Sequence, residues 1–145
     1  MKISAIILAA GESKRMGSLN KLLLPIHEEP IIRIVCKNVI KAKLDQVILV
    51  TGHQSSEIKK VVPDQINQII HNSKWKNGMM SSIFAGMSKL DDDIDGNLII
   101  LGDMPLISTK TIKLIKREFQ KYDGEHIVYP TFGNKQANPV IFPKK

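Results

Sequence analysis

Residues 3–17 read ISAIILAAGESKRMG, an apolar run that passes directly into small residues, a glycine and a basic loop. A short apolar run of this kind is typical of a buried β-strand. Small residues let the backbone approach a ligand, and successive N–H groups in such a turn form an anion-binding concavity. Arg15 can bind phosphate oxygens through its planar guanidinium, and Lys21 offers a compact positive charge. The stretch therefore predicts a strand followed by a site for a nucleotide polyphosphate.

The rest of the chain alternates short apolar runs with longer stretches of helical periodicity. Apolar runs that predict strands occupy residues 3–8, 47–50, 66–70, 98–101 and 127–129. Helices are predicted from Pro30 onward, from about Ser55 to just before Pro63, over 81–90, and from Ser108 to about Lys121. Strands that are apolar throughout belong to parallel sheets buried on both faces. The order predicts one domain over residues 1–145, a three-layer α/β/α sandwich with a mostly parallel, Rossmann-like sheet.

Composition sets the class of protein. The chain has 145 residues, of which 43% are hydrophobic and 24% charged, as in soluble globular domains. No apolar run approaches the roughly 20 residues that cross a bilayer. The lone cysteine, Cys36, lies in an apolar helical pattern, which predicts packing and fits a reducing cytosol. The net charge of +7 suits an anionic partner, but the scarce aromatic residues do not interleave with basic ones, which disfavours nucleic acid. We therefore expect a cytoplasmic protein without a membrane partner.

Small and polar residues follow four of the predicted strands. Ligands of open α/β sheets bind at the carboxyl ends of the strands, so these residues are candidates for one shared site. They are residues 9–21, Gly52, Asn72, Gly78, Ser81, Ser82 and Asp103.

Asp103 is the most chemically specific candidate, because it places a carboxylate at the end of a buried strand. Mg²⁺ takes oxygen ligands, commonly one or two carboxylates together with substrate phosphates. The alternative is an aspartate that caps its own turn or the helix near Ser108. Ser81 and Ser82 leave a similar choice, since hydroxyls at a helix start either hold a ligand or cap the helix.

Known phosphate-loop motifs do not fit the first loop. It lacks the G-x-x-x-x-G-K-[ST] pattern, and Ser13 stands at the second glycine of G-x-G-x-x-G. Residues 8–21 instead resemble the signature L-A-A-G-x-S-x-R-M-G-x-x-x-K of the molybdenum cofactor nucleotidyltransferase family, the MobA-like NTP transferases. Residues 72–86 resemble N-x-x-W-x-x-G-M-x-S-S-(I/L)-x-x-G of its cytidylyltransferase branch. Residues 133–142 resemble G-x-x-G-H-P-V-x-F, with Ala137 and Asn138 in place of the Gly-His pair.

The resemblance implies a sheet of the nucleotide-diphospho-sugar transferase type. It also implies Mg²⁺-dependent transfer of CMP from CTP to a phosphorylated acceptor such as molybdopterin, with release of pyrophosphate. It assigns catalytic roles to Arg15, Lys21 and Asp103, with Asp103 as metal ligand. Members usually continue with further helices, so we expect this chain to be short at its C-terminus. The residues implied in nucleotide binding are Leu8, Ala9, Ala10, Gly11, Glu12, Ser13, Gly52, Asn72, Gly78, Ser81 and Ser82.

The nucleotide base and the acceptor leave alternatives open. Ala10 resembles the cytidylyl branch, whereas the guanylyl branch typically has glycine there, and a methyl group narrows the pocket against a purine. Guanylyl transfer to molybdenum cofactor and transfer to a sugar phosphate are alternatives on the same fold. A third is a non-catalytic nucleotide-binding accessory protein for molybdoenzyme maturation, with a molybdenum hydroxylase as candidate partner.

Overall fold

The computed structural model describes residues 1–12 and 19–144. Ser13 and Arg15, both predicted to contact phosphates, lie outside the described residues. Short 3₁₀ turns occur at Lys21–Leu23 and Trp75–Asn77. The strands and helices, in chain order, are β1 (Ile3–Ala9), β2 (Pro25–Ile26), β3 (Glu29–Pro30), α1 (Ile31–Lys41), β4 (Gln46–Thr51), α2 (Ser55–Val61), β5 (Gln68–His71), α3 (Met79–Met87), β6 (Gly96–Leu101), α4 (Thr109–Lys121), β7 (Thr131–Phe132), β8 (Lys135–Gln136) and β9 (Val140–Pro143).

A five-stranded sheet forms the centre of the molecule, in the order β5-β4-β1-β6-β9. Neighbouring strands are parallel except β9, which runs antiparallel to β6. β1 lies in the middle of the sheet, and both of its neighbours, β4 and β6, run parallel to it. This confirms the mostly parallel sheet, and it places the residues that follow β1 between those that follow β4 and β6.

Helices cover both faces of this sheet. On one face, α1, α2 and α4 bury their apolar stripes against Ile3, Ala5 and Ile7 of β1. On the other face, α3 packs across β1 and β4 beside Ile6. Gly86 of α3 allows this approach, because a Cβ there would lie 2.8 Å from a methyl carbon of Ile6. The three-layer α/β/α architecture is confirmed.

The predicted strand over residues 127–129 is wrong. Val128 makes an isolated bridge to Ile141, with one backbone hydrogen bond in each direction. The strand that pairs with β6 at this edge of the sheet is β9 instead. The run at 127–129 is flanked by Pro130, and Ile127 and Tyr129 are exposed, so it gains little from burial in the sheet.

Cys36 lies on the buried face of α1, within the hydrophobic core, and is fully buried. Burial raises the pKa of its thiol to about 12, which keeps it protonated and unreactive at neutral pH. The packing role predicted for this cysteine agrees with that environment. Across residues 1–12 and 19–144, the helices are all too short or too polar to traverse a bilayer.

An ion pair at the start of α1 predicts an acid-dependent part of the stability. Lys37 Nζ donates to Glu29 Oε1 at 2.6 Å, and this hydrogen bond lowers the pKa of Glu29. A lowered pKa in the folded state stabilises the protein above the unfolded-state pKa of about 4.3, and the contribution disappears as pH falls through the folded-state pKa. In urea unfolding, Glu29→Gln should have a lower free energy of unfolding than wild type at pH 7. The two free energies should converge at acid pH. A difference that stays constant from pH 7 to pH 3 would contradict this assignment.

Candidate functional site

A cleft of about 700 Å³ opens at the carboxyl ends of β1 and β6. Leu8 pairs with Leu101 in the parallel register, so the residues that follow the two strands emerge side by side. A smaller hollow of about 370 Å³ lies elsewhere, between α4 and residues 126–129. The lining of the larger cleft is Leu8, Ala9, Ala10, Gly11, Glu12, Lys21, Leu22, Trp75, Gly78, Met79, Ser82, Leu101, Gly102 and Asp103.

Asp103 and Lys21 face each other in this cleft, with Lys21 Nζ 3.9 Å from Asp103 Oδ2. Both side chains are roughly half exposed, so both can reach a ligand. Gly102 precedes Asp103 and packs closely, since a Cβ there would lie 2.8 Å from the carbonyl oxygen of Leu8. Lys21 is fixed by its 3₁₀ turn, which Asn20 caps by accepting a hydrogen bond from the Leu22 N–H.

A carboxylate beside an ammonium group suits a ligand that brings both a metal ion and phosphate charge. Among the described residues no three His, Cys, Asp or Glu side chains converge on one metal position. A divalent cation at Asp103 would therefore need oxygen atoms from the substrate and from water, as is common for Mg²⁺. Asp103 fits this type of site because it is an oxygen donor that opens onto the cleft.

The backbone after β1 forms the floor of the cleft. Ala9 and Ala10 are almost fully buried, whereas Gly11 and Glu12 are exposed. A Cβ on Gly11 would meet no atom of the described part of the chain within 4 Å, so that part leaves the space beside this glycine open. Five of the predicted nucleotide-binding positions, Leu8, Ala9, Ala10, Gly11 and Glu12, thus line one continuous surface.

Trp75 forms a second wall, and Gly52 makes room for it. A Cβ on Gly52 would lie 2.6 Å from Trp75 Cβ and 2.8 Å from the Ala10 carbonyl oxygen. That oxygen accepts a hydrogen bond from the His53 N–H at 2.9 Å. Gly52 is buried and is not part of the cleft lining, so the structure places it behind Trp75.

The side-chain amide of Asn72 forms hydrogen bonds with the hydroxyl groups of Ser81 and Ser82. Asn72 Nδ2 donates to Ser81 Oγ at 2.9 Å and to Ser82 Oγ at 3.0 Å. Of the three, Ser82 lines the cleft. The helix-capping alternative for the serines is wrong, because α3 begins at Met79 and its N-cap residue, Gly78, makes no side-chain cap bond.

The predicted site residues do not include five residues that line the cleft, namely Leu22, Trp75, Met79, Leu101 and Gly102. Leu101 ends the apolar run before Gly102, so its position next to the site follows from the strand-end rule. Leu22 carries no such signal, because it reaches the cleft through the 3₁₀ turn that follows the first loop.

The overall fold is similar to those of solved structures that include a nucleotidyl transferase. Rv0371c from Mycobacterium tuberculosis H37Rv superposes with a TM-score of 0.84 at 21% identity, covering 99% of this chain and 71% of that one. A nucleotidyl transferase of Methanothermobacter, Mth528, gives a TM-score of 0.81 at 23% identity over 98% of this chain and 71% of its own. Rv0371c is also known as a complex with manganese.

The chain belongs to the MobA-like NTP transferase domain family, whose model matches residues 5–145. A bifunctional protein GlmU from Acetivibrio thermocellus is 36% identical over 112 residues, which are 76% of this chain and 24% of GlmU. A probable molybdenum cofactor guanylyltransferase from Methanosarcina mazei is 27% identical over 149 residues, 98% of this chain and 64% of its own length. The chain thus spans about a quarter of the GlmU proteins that it matches.

Proposed function

We propose that this chain is a nucleotidyltransferase that transfers CMP from CTP to a phosphorylated acceptor, with molybdopterin favoured, and releases pyrophosphate. The observation that carries the proposal is the pairing of Asp103 with Lys21 in a cleft whose floor is the backbone after β1. An ammonium and a carboxylate at the carboxyl edge of a parallel sheet are suited to hold a triphosphate and its counter-cation.

The reaction needs alignment and charge neutralisation more than covalent chemistry. A phosphate oxygen of the acceptor forms a new bond to the α-phosphorus, and the bond between that phosphorus and the bridging oxygen breaks. The electron pair leaves with pyrophosphate. A divalent cation bound at Asp103 would neutralise phosphate charge, and Mg²⁺ is the ion that we favour. Lys21 offsets the charge that develops on the phosphates, and the backbone of Ala10 and Gly11 orients them.

The preference for CTP rests on the part of the cleft formed by Ala10 and Trp75, beside the backbone that we propose holds the phosphates. Ala10 lines the cleft and packs in the same apolar cluster as Trp75, and in this proposal its methyl group narrows that part of the cleft. A pyrimidine fits a narrower space than a purine does. The guanylyltransferase name of the Methanosarcina relative makes GTP the second candidate.

The family membership supports our choice of acceptor and of biological setting. A phosphate-bearing pterin is consistent with a MobA-like domain, and a molybdenum hydroxylase would then be the downstream partner. Transfer to a sugar phosphate and nucleotide binding without catalysis are the outcomes that the experiment must distinguish.

The test is calorimetric titration of the wild-type chain with CTP and with GTP, each with Mg²⁺, followed by a pyrophosphate-release assay with molybdopterin. We expect tighter binding of CTP and release of pyrophosphate only when the acceptor is present. Preference for GTP would overturn the choice of base. Binding without pyrophosphate release from any phosphorylated acceptor would overturn the catalytic proposal.

A further inference from the structure

We infer that Asn72 is a positioning residue that fixes Trp75 and Gly78 as the base-facing wall of the cleft, and that it acts without touching the nucleotide. The inference rests on the proposed function for the identity of the ligand. It concerns the segment of residues 72–78, here called the tryptophan loop, which joins β5 to α3.

Both the nitrogen and the oxygen of the Asn72 side-chain amide form hydrogen bonds within the protein. It is 6% exposed, and its two amide hydrogens are directed to Ser81 and Ser82, at 2.9 and 3.0 Å. Its Oδ1 accepts from the Lys74 N–H at 3.0 Å. An amide with both donors used and with its oxygen bonded inside the loop is placed to hold the loop rather than to read a ligand.

The backbone of Asn72 ties the tryptophan loop to the sheet. Its N–H donates to the Thr51 carbonyl at 2.7 Å, and its carbonyl accepts from the Trp75 N–H at 3.3 Å. Ser81 closes the other end of the loop, since its Oγ lies 2.7 Å from the Gly78 carbonyl oxygen. Asn72 thus links the end of β4, the loop and the start of α3.

This linkage determines where Trp75 lies. The indole rests over Gly52 on one side, and Trp75 and Gly78 both line the cleft. His53 contacts the indole with ring centroids 5.3 Å apart. Lys76 Nζ lies over the indole, 5.5 Å from its centroid, on an exposed side chain. A nucleotide base that displaces this side chain can stack on the indole, an interaction that tolerates different bases. The charged side chains that line the same cleft are Glu12, Lys21 and Asp103, so in this proposal the base and phosphate subsites are built from different residues.

The chain offers an internal reporter, because Trp75 is its one tryptophan. In Asn72→Ala without ligand, we expect the tryptophan emission to shift to longer wavelength and acrylamide to quench it more strongly. The double variant Ser81→Ala with Ser82→Ala removes the partner hydroxyls and should give the same shift. Gly52→Ala reaches the same result independently, by placing a methyl group where Trp75 packs. Ser88→Ala, on an exposed serine just after α3, is the matched control and should leave the emission unchanged.

Ligand binding distinguishes a positioning role of Asn72 from a general destabilisation of the fold. With Mg²⁺ present, Asn72→Ala should bind CTP about tenfold more weakly, as expected when base stacking is lost, and should bind inorganic triphosphate as wild type does. Equal weakening of CTP and triphosphate binding in Asn72→Ala, or unchanged tryptophan emission in that variant, would overturn the inference. Wild type that binds triphosphate but neither CTP nor GTP would overturn the proposed function and, with it, the base-facing role of the loop.

Discussion

Asp103→Asn should lower the rate of pyrophosphate release by about 10²–10³-fold, the loss typical when one group that stabilises developing charge is removed. The amide keeps the size of the side chain but not its negative charge. At the end of β6 this charge faces the cleft and lies 3.9 Å from Lys21. Because the side chain is 44% exposed, the substitution should leave the unfolding midpoint near that of wild type. The measurement is single-turnover pyrophosphate release with saturating nucleotide and Mg²⁺.

Asp64→Asn is the matched control, since Asp64 is an exposed aspartate outside the cleft. It removes the same charge from the chain and should retain the wild-type rate. If both variants lost activity equally, the effect would come from net charge. If Asp103→Asn kept more than a tenth of the wild-type rate, Asp103 would not be the metal-binding carboxylate.

Phe119→Ala should destabilise the fold by about 3–5 kcal/mol, the range found when a buried phenylalanine is truncated. Phe119 lies in α4 and is fully buried, with its ring against Gly96 at the start of β6. A Cβ at Gly96 would lie 2.4 Å from the ring, so strand and helix meet there without spare volume. Small domains are stable by only about 5–15 kcal/mol, so this loss should be visible as a large fall in the urea midpoint.

Phe132→Ala provides the comparison, because Phe132 in β7 is 88% exposed. Its removal should change stability by less than about 0.5 kcal/mol. Similar losses of stability in the two variants would contradict the exposed position of Phe132. A small loss in Phe119→Ala would mean that the core beside Gly96 collapses to fill the space.

The elements that define the fold were predictable because each carries a local signal. β1, β4 and β6 are apolar throughout, and α1 and α4 repeat apolar residues on one helical face. The run at 127–129 shows the limit of such signals. Three apolar residues predict a strand even where only one of them pairs, and here Val128 alone bridges to β9, which itself lies beside β6.

The sequence by itself determined that this chain is an α/β domain with small and polar residues after its first strand and a carboxylate, Asp103, after another. Those properties depend on periodicity and on side-chain chemistry, which are local. Only the tertiary structure decided that Lys21 reaches Asp103, that Gly52 makes space for Trp75, and that Asn72 bonds to Ser81 and Ser82. Each of these contacts joins different loops or helices, so it exists only once those elements have packed together.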